Sequence, residues 1–190
     1  MMNDFTIHTP ETAPEESKET LQKINKNLGF VPNLFGVLAE SPQAVEAYQV
    51  LGALFRKTSL SAVEQNVVWL TINYENNCGY CVPAHTGIAK MDKVPDDVIE
   101  ALRNGTPIAD TRLEALRVFT VEMVQQRGWI TEEDVQAFVE AGYTRQNILD
   151  VIVGMSHKVI SNYTNHLADT PVDDAFQKFA WQKPAATDAA

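Results

Sequence analysis

Both cysteines of the 190-residue chain lie in one stretch, Tyr74-Glu75-Asn76-Asn77-Cys78-Gly79-Tyr80-Cys81-Val82-Pro83-Ala84-His85, spaced C-x-x-C with a histidine four residues after the second. On a helix of about 3.6 residues per turn, positions i, i+3 and i+7 share a face, so Cys78, Cys81 and His85 are expected to point roughly the same way. Pro83 has no backbone N–H and sits comfortably in a helix's first turn, where donors lack partners anyway. The helix is therefore expected to begin near Gly79 or Tyr80, with Cys81 in its first turn. There the positive end of the helix dipole favours a thiolate over a thiol. A histidine one turn later can take up or return a proton, since its reference pKa lies near neutrality. The pattern offers the chemistry of a redox dithiol.

Other uses of such a pair fit less well. A closed zinc site wants four nitrogen or sulfur ligands; the pair and His85 supply three, and only His8, His157 and His166 remain. Haem attachment needs histidine directly after the second cysteine, where Val82 stands. A thioredoxin-like site would follow a strand, and here both flanks read as helix. A permanent structural disulfide is out of place in a chain with no further cysteine and no secretory signal in its opening residues, MMNDFTIHTPETAPEES.

Composition narrows the partners. A formal net charge of −10 argues against nucleic acid, whose affinity depends on Lys and Arg neutralising phosphates. No apolar run is long enough to cross a bilayer. The expectation is a cytoplasmic protein without a bound cofactor, and the 45% apolar content is ordinary for a globular chain. Residues 1–14, polar and proline-punctuated, read as an extended arm, 15–182 as one helical domain, and 183–190 as a frayed tail.

The elements that must position the dithiol read as helices throughout. Glu16 to Leu28 forms a short helix ended by Gly29. The apolar cluster Phe30 to Phe35 is expected to pack on the core or on a neighbouring subunit. Ser41-Pro42 opens a helix to about Arg56, and the capping box Ser61-x-x-Glu64 opens the one that leads to the cysteines. Val63, Val67, Leu70 and Tyr74 are its expected buried stripe. Pro95 opens a short helix that ends at Asn104-Gly105, and a long one runs from Asp110 to about Arg127. Thr131-x-x-Asp134 caps the next, and Thr144 caps a helix toward Leu167 whose middle, Ile148 to Ile160, is apolar enough for a core or an interface. Pro171 is expected to open a last helix to about Trp181. No stretch alternates with period two, so the fold class is all-α.

An internal echo points to a duplicated helical core. Gln65-Asn66-Val67-Val68 and His85 match Gln146-Asn147-Ile148-Leu149 and His166 at one offset, with Val159 and Asn162 where the first copy has Cys78 and Cys81. One half would then do chemistry and the other would be scaffold. His166 could approach the dithiol from the second copy, but the ordinary reading is a hydrogen-bonded helix histidine, and His157 reads as a buried pin or an interface contact.

The run from Leu60 to Ala89, LSAVEQNVVWLTINYENNCGYCVPAHTGIA, resembles the core of the alkylhydroperoxidase AhpD and carboxymuconolactone decarboxylase family. The likeness extends to Gly29-Phe30-Val31-Pro32-Asn33-Leu34-Phe35 and to Ser161-Asn162-Tyr163-Thr164-Asn165-His166 with Thr170-Pro171-Val172-Asp173, a pattern of the peroxidase-related branch. The resemblance implies an AhpD-like all-α fold, a homo-oligomer (trimer or hexamer), and reduction of hydroperoxides with an external dithiol as reductant. It implies Cys81 as the attacking thiolate and Cys78 as its disulfide partner, with His85 as proton carrier. It also implies a relay glutamate twelve residues before the first cysteine, where this chain has Asn66. Either another carboxylate serves, with Glu75, three residues before Cys78, better placed than Glu64, or His85 works without one; position 66 is expected to accept a glutamate. The alternatives are a lyase acting on a lactone acid, like the decarboxylase branch, and a non-catalytic oligomer that binds metal or senses redox state.

Overall fold

The computed structural model describes residues 4–185 and builds them from helices, with no strand among the described residues. In chain order they are α1 (Glu15–Leu28), α2 (Asn33–Leu38), α3 (Pro42–Phe55), α4 (Ala62–Glu75), α5 (Cys81–Met91), α6 (Asp96–Asn104), α7 (Thr111–Gln125), α8 (Glu132–Glu140) and α9 (Arg145–Ala168), followed by a 3₁₀ helix, Asp174–Phe179. Their ends follow local chemistry. Ser61, Thr131 and Thr144 each close a capping box at the start of α4, α8 and α9. Gly29 and Gly105 end α1 and α6 with positive φ, which costs glycine nothing.

Helix α4 is the central rod. It packs against α5, α6, α7 and α9, and ten consecutive residues from Glu64 to Asn73 are buried. The expected one-sided stripe is therefore corrected. A helix surrounded on all sides has no solvent face, while Val63 and Tyr74, at its ends, are only half-buried. One apolar cluster joins α4 to α6, α7 and α8 through Leu70, Ile99, Leu116 and Phe138. A second joins α1, α2 and α3 to Cys78, Tyr80, Cys81 and Ala84. The dithiol thus sits inside the second cluster, against the flank of α4.

One further expectation changes, and two other segments show detail that the sequence left open. The Phe30 to Phe35 cluster packs on this core, but its end continues into α2, which no sequence signal marked beyond Pro32 at the cap. The chain after Pro171 forms only the short 3₁₀ helix. Its backbone is held extended before that by tertiary bonds: Asn33 Nδ2 donates to the Pro171 carbonyl at 3.0 Å and the Asn33 N–H donates to Asp173 Oδ1 at 2.8 Å. The Ile148 to Ile160 segment of α9 is not wholly buried, since Leu149, Ile152 and Val159 are exposed.

The two helices of the sequence echo are α4 and α9, both opened by a capping box. Their N-caps, Ser61 and Thr144, stand two residues further apart than the echo's offset, and α9 runs unbroken where the first copy turns between α4 and α5. In the arm, the His8 N–H donates to the Gly36 carbonyl at 3.1 Å, which ties the arm to α2 at that point. Most of the expected frayed tail, residues 186–190, lies outside the described residues. No helix among the described residues is long and apolar enough to cross a membrane.

Candidate active site at the buried dithiol

The break that presents the cysteines is built from two asparagines. Asn76 ends α4, and Asn77 takes a left-handed conformation with φ 51°, which asparagine tolerates better than most residues. The Cys78 N–H turns back to the Asn73 carbonyl at 3.0 Å. Gly79 and Tyr80 complete the turn, and α5 begins at Cys81 with Pro83 in its first turn, as the proline predicts. The Cys81 N–H donates to the sulfur of Cys78 at 3.3 Å, and the Val82 N–H to the Cys78 carbonyl at 3.1 Å. Cys78 therefore receives the first amide of the helix, and Cys81 does not.

What faces Cys81 comes from α9. Lys158, Asn162 and Asn165, at i, i+4 and i+7, lie on its inward face and are buried. Asn165 Nδ2 donates to the sulfur of Cys81 at 3.2 Å. Asn162 Nδ2 donates to Asn73 Oδ1 at 2.9 Å and its Oδ1 accepts from Asn76 Nδ2 at 2.8 Å. Asn73 Nδ2 reaches the Cys81 carbonyl at 3.4 Å, so four amides from two helices hold the dithiol turn in place.

Lys158 is completely buried, and its Nζ lies 2.7 Å from Nε2 of His85. Its ammonium also stands 5.6 Å from the centre of the Tyr48 ring and 5.7 Å from that of Trp69, within cation–π range. Among the described residues no carboxylate lies within ion-pair distance of it. Burial alone would push the Cys81 thiol up. The hydrogen bond from Cys78, the charge of Lys158, and the bonds from Asn165 and Asn162 outweigh it and bring Cys81 down to about 6. Cys78 moves the other way, because it donates to Cys81 and is itself buried. Burial lowers Lys158 to about 8, opposed by the attraction of Cys81 and Cys78. Burial, then the charges around it with Lys158 foremost, holds His85 well below its ordinary value, so its imidazole is neutral. A neutral ring that accepts from Lys158 at Nε2 carries its proton on Nδ1, and that atom is buried with no partner among the described residues.

Cys81 and His85 also line a cavity of about 660 Å³ whose other walls are mostly apolar, among them Phe30, Leu34, Phe35, Met91, Phe176 and Phe179. One wall is the C-terminal strap. The Tyr80 hydroxyl donates to Asp173 Oδ2 at 2.6 Å while accepting from the Leu34 N–H at 3.2 Å. Further along, Arg103 Nη1 donates to the Phe179 carbonyl at 3.2 Å, and Trp181 Nε1 donates to the Arg103 carbonyl at 2.7 Å. Gly87 leaves room for the strap: a Cβ there would meet the Phe176 ring at 3.2 Å.

Of the residues expected at the site, Cys78, Cys81 and His85 come together and Glu75 does not. Glu75 accepts from Gln125 Nε2 at 2.9 Å, on the α7 side of α4. Glu64 closes its capping box and pairs with Arg112. Asn66 donates from Nδ2 to the Ala62 carbonyl at 2.9 Å and to Asp92 Oδ2 at 2.7 Å, and Asp92 in turn pairs with Arg56 at 2.8 Å. His157 stacks on Tyr48 with ring centres 4.2 Å apart, and His166 is exposed on α9. Among the described residues no group of three or more His, Cys, Asp or Glu side chains could hold a metal ion.

Sequence reasoning missed Lys158, Asn162, Asn165 and Asn73. A signal existed for the first three: a lysine inside an apolar stretch, followed at helical spacing by two asparagines in the Ser161 to His166 run. Lysine is rarely fully buried without a counter-charge, so Lys158 reads from sequence as a solvated residue.

The carboxymuconolactone decarboxylase family model matches residues 42–121, from the start of α3 into α7. No match to a curated protein sequence was found. Among solved structures, the fold is similar to a peroxidase-related protein with an alkylhydroperoxidase AhpD core from Ralstonia eutropha JMP134, with a TM-score of 0.80 and 22% identity over 93% of this chain and 95% of that one. A peroxidase-related protein from Silicibacter sp. TM1040 is similar with a TM-score of 0.77 and 19% identity, over 92% and 93% of the two chains. A cysteine-to-alanine form of the debrominase Bmp8 in complex with 2,3,4-tribromopyrrole is similar with a TM-score of 0.77 and 16% identity, over 94% and 96%. The family match covers the helices that carry the dithiol, and along nearly its whole length the chain has the AhpD-like helical fold of these structures.

Proposed function

We propose that the protein is a thiol-dependent oxidoreductase that reduces hydroperoxides at Cys78 and Cys81. The Cys81 thiolate attacks the outer oxygen of ROOH, the O–O bond breaks, and RO⁻ leaves as ROH on receiving a proton through His85. Cys81 is then a sulfenic acid. The Cys78 thiol attacks it, water departs, and a Cys78–Cys81 disulfide remains for an external dithiol to reduce. The observation that carries this reading is the sulfur of Cys81. It is buried, accepts from Asn165, lies in the field of Lys158, and opens with His85 onto one apolar cavity. Cys78, held as a thiol, suits the partner that must wait for the sulfenic acid.

Mass spectrometry after hydroperoxide treatment tests it. Wild-type protein should carry a Cys78–Cys81 disulfide, and Cys78→Ser should trap a sulfenic acid on Cys81. Sulfenic acid on Cys78 alone would reverse the roles, and unmodified thiols with catalysed loss of a lactone acid's carboxyl group would favour the lyase. Stoichiometric zinc retained at the two cysteines would favour the non-catalytic alternative.

A further inference from the structure

Oxidation of the dithiol by a hydroperoxide needs two electrons and two protons per molecule of ROOH, giving ROH and water. The two sulfurs supply the electrons, and the Cys78 thiol supplies one proton. Cys81 starts as a thiolate and has no proton to give. The second must come from elsewhere, and Cys78, Cys81, His85 and Lys158 are all buried, with Cys81 and His85 at the wall of a mostly apolar cavity. His85 is neutral and can only pass a proton on if another group replaces it.

Few titratable or charged groups face this space, and Tyr80, in the turn before α5, keeps its phenol proton through burial and its bond to Asp173. From α3 come Tyr48, whose phenol burial keeps protonated, and Arg56, which is committed to Asp92. Helix α5 and the turn before it bring Cys78, Cys81 and His85, and α9 itself brings His157, whose ring burial keeps neutral. Helix α4 presents Trp69, and α2 contributes no titratable side chain. Lys158 alone is a cation in direct contact with His85, and the thiolate of Cys81 is its only anionic neighbour among these groups.

We infer that Lys158 is the proton store of the dithiol: its ammonium balances the Cys81 thiolate in the reduced protein, and its proton leaves through His85 as the disulfide forms. The inference rests on the peroxidase reading for its co-reactant, the hydroperoxide. In the reduced state the site holds S⁻ and NH₃⁺; in the oxidised state it holds a disulfide and NH₂. The pocket is neutral in both, so neither state leaves a lone charge in a low-dielectric interior. His85 gives its Nδ1 proton to the departing RO⁻ and takes one from Lys158 at Nε2. When an external dithiol reduces the disulfide, a proton returns along the same path in reverse, and the original tautomer is restored. Lys158 touches no substrate in this scheme; it is a positioning and proton-storing residue that acts through His85.

The test starts with the wild-type protein, so that no variant need fold. Lysine side-chain NMR is recorded against pH for the reduced protein and for the disulfide made with diamide, which needs no peroxide. The one lysine that titrates well below the rest should lose proton affinity at least about tenfold on oxidation; an unchanged midpoint overturns the inference. Lys158→Met should raise the proton affinity of Cys81 by about tenfold or more, read from ultraviolet thiolate absorbance; an unchanged thiolate titration also overturns it. Lys158→Arg separates charge from proton delivery, because a guanidinium stays protonated. It should restore the thiolate yet leave single-turnover ROH formation about tenfold or more below wild type, and wild-type turnover in this variant overturns the proton-store role. If wild-type protein consumes no hydroperoxide, the peroxidase reading fails by itself, and the two titrations still decide the part played by Lys158.

Discussion

Asn165 Nδ2 stands 3.2 Å from the sulfur of Cys81, across the junction of α9 and α5. Eighty-four residues separate the two in sequence. The amide turns a buried sulfur, which would otherwise resist ionisation, into an acceptor with a fixed donor. With Lys158 two helical turns earlier on the same face, α9 supplies a hydrogen bond and the charge that the start of α5 was expected to supply through its dipole.

The first prediction concerns that bond. A hydrogen bond to a charged group contributes about 1.5–3 kcal/mol. Asn165→Ala should therefore raise the pKa of Cys81 by about one unit or more and slow its reaction with hydroperoxide near neutral pH. Ultraviolet thiolate titration and stopped-flow reaction with peroxide read the two effects. An unshifted titration would remove Asn165 from the set that stabilises the thiolate.

The pH dependence of stability follows from the same thiolate. Cys81 ionises at about 6 in the folded protein and near the ordinary thiol value when unfolded. Between those values the unfolded chain binds the extra proton, so stability rises with pH across that window and its thiolate contribution is gone below the folded pKa. Lys158, lowered to about 8, adds in the same direction above that pH, because the unfolded lysine holds its proton longer. Denaturant unfolding of the reduced protein should show this rise, and Cys81→Ser should flatten its lower part.

The carboxylate relay expected from sequence gives two opposite outcomes here. Glu75 faces Gln125, so Glu75→Gln should leave hydroperoxide turnover within about twofold of wild type; a tenfold loss would return Glu75 to the mechanism. Asn66 is fully buried and donates to Asp92. Asn66→Glu would replace that donor with a second carboxylate, so it should destabilise the protein by about 2 kcal/mol or more by denaturant unfolding, contrary to the tolerance expected from the family pattern.

The strap that walls the cavity is latched at Asp173 by the Tyr80 hydroxyl beside the Asn33 N–H. Tyr80→Phe leaves Asp173 without its 2.6 Å donor and the Leu34 N–H without its acceptor. The expected cost is about 1–3 kcal/mol, with earlier hydrogen exchange in residues 172–180 than in α4. Equal protection in the variant and wild type would show that Asn33, Arg103 and Trp181 hold the strap without the Tyr80 hydroxyl.

Assembly is the last. Leu149, Ile152, Val159, Tyr163 and Leu167 are exposed along α9 at spacings that place them on one stripe. Such a face is costly in water, and we propose that it contributes to the homo-oligomer. Sedimentation should give a mass above 21.1 kDa, falling toward that value in Ile152→Asp/Val159→Asp. A wild-type monomer at micromolar concentration would end the proposal.

What the sequence determined by itself was local. Ser61, Thr131 and Thr144 satisfy their own helix ends, and Pro83 selects the first turn of α5, so these boundaries and the C-x-x-C-x-x-x-H face could be read from residues a few positions apart. The all-α class follows from the same signals. What only the tertiary structure decided was the electrostatics of the dithiol and the path of the chain after Pro171. Glu75 reads as a relay carboxylate and Lys158 as a solvated charge until packing turns the first toward α7 and encloses the second beside His85. The 3₁₀ helix replaces the expected α-helix because Asn33 and Tyr80 bind Asp173 from far along the chain. A thiol's proton affinity is set by whatever charge and donors lie within a few ångströms in a low-dielectric interior, and for Cys81 all of these except Cys78 belong to a helix that sequence spacing cannot bring near.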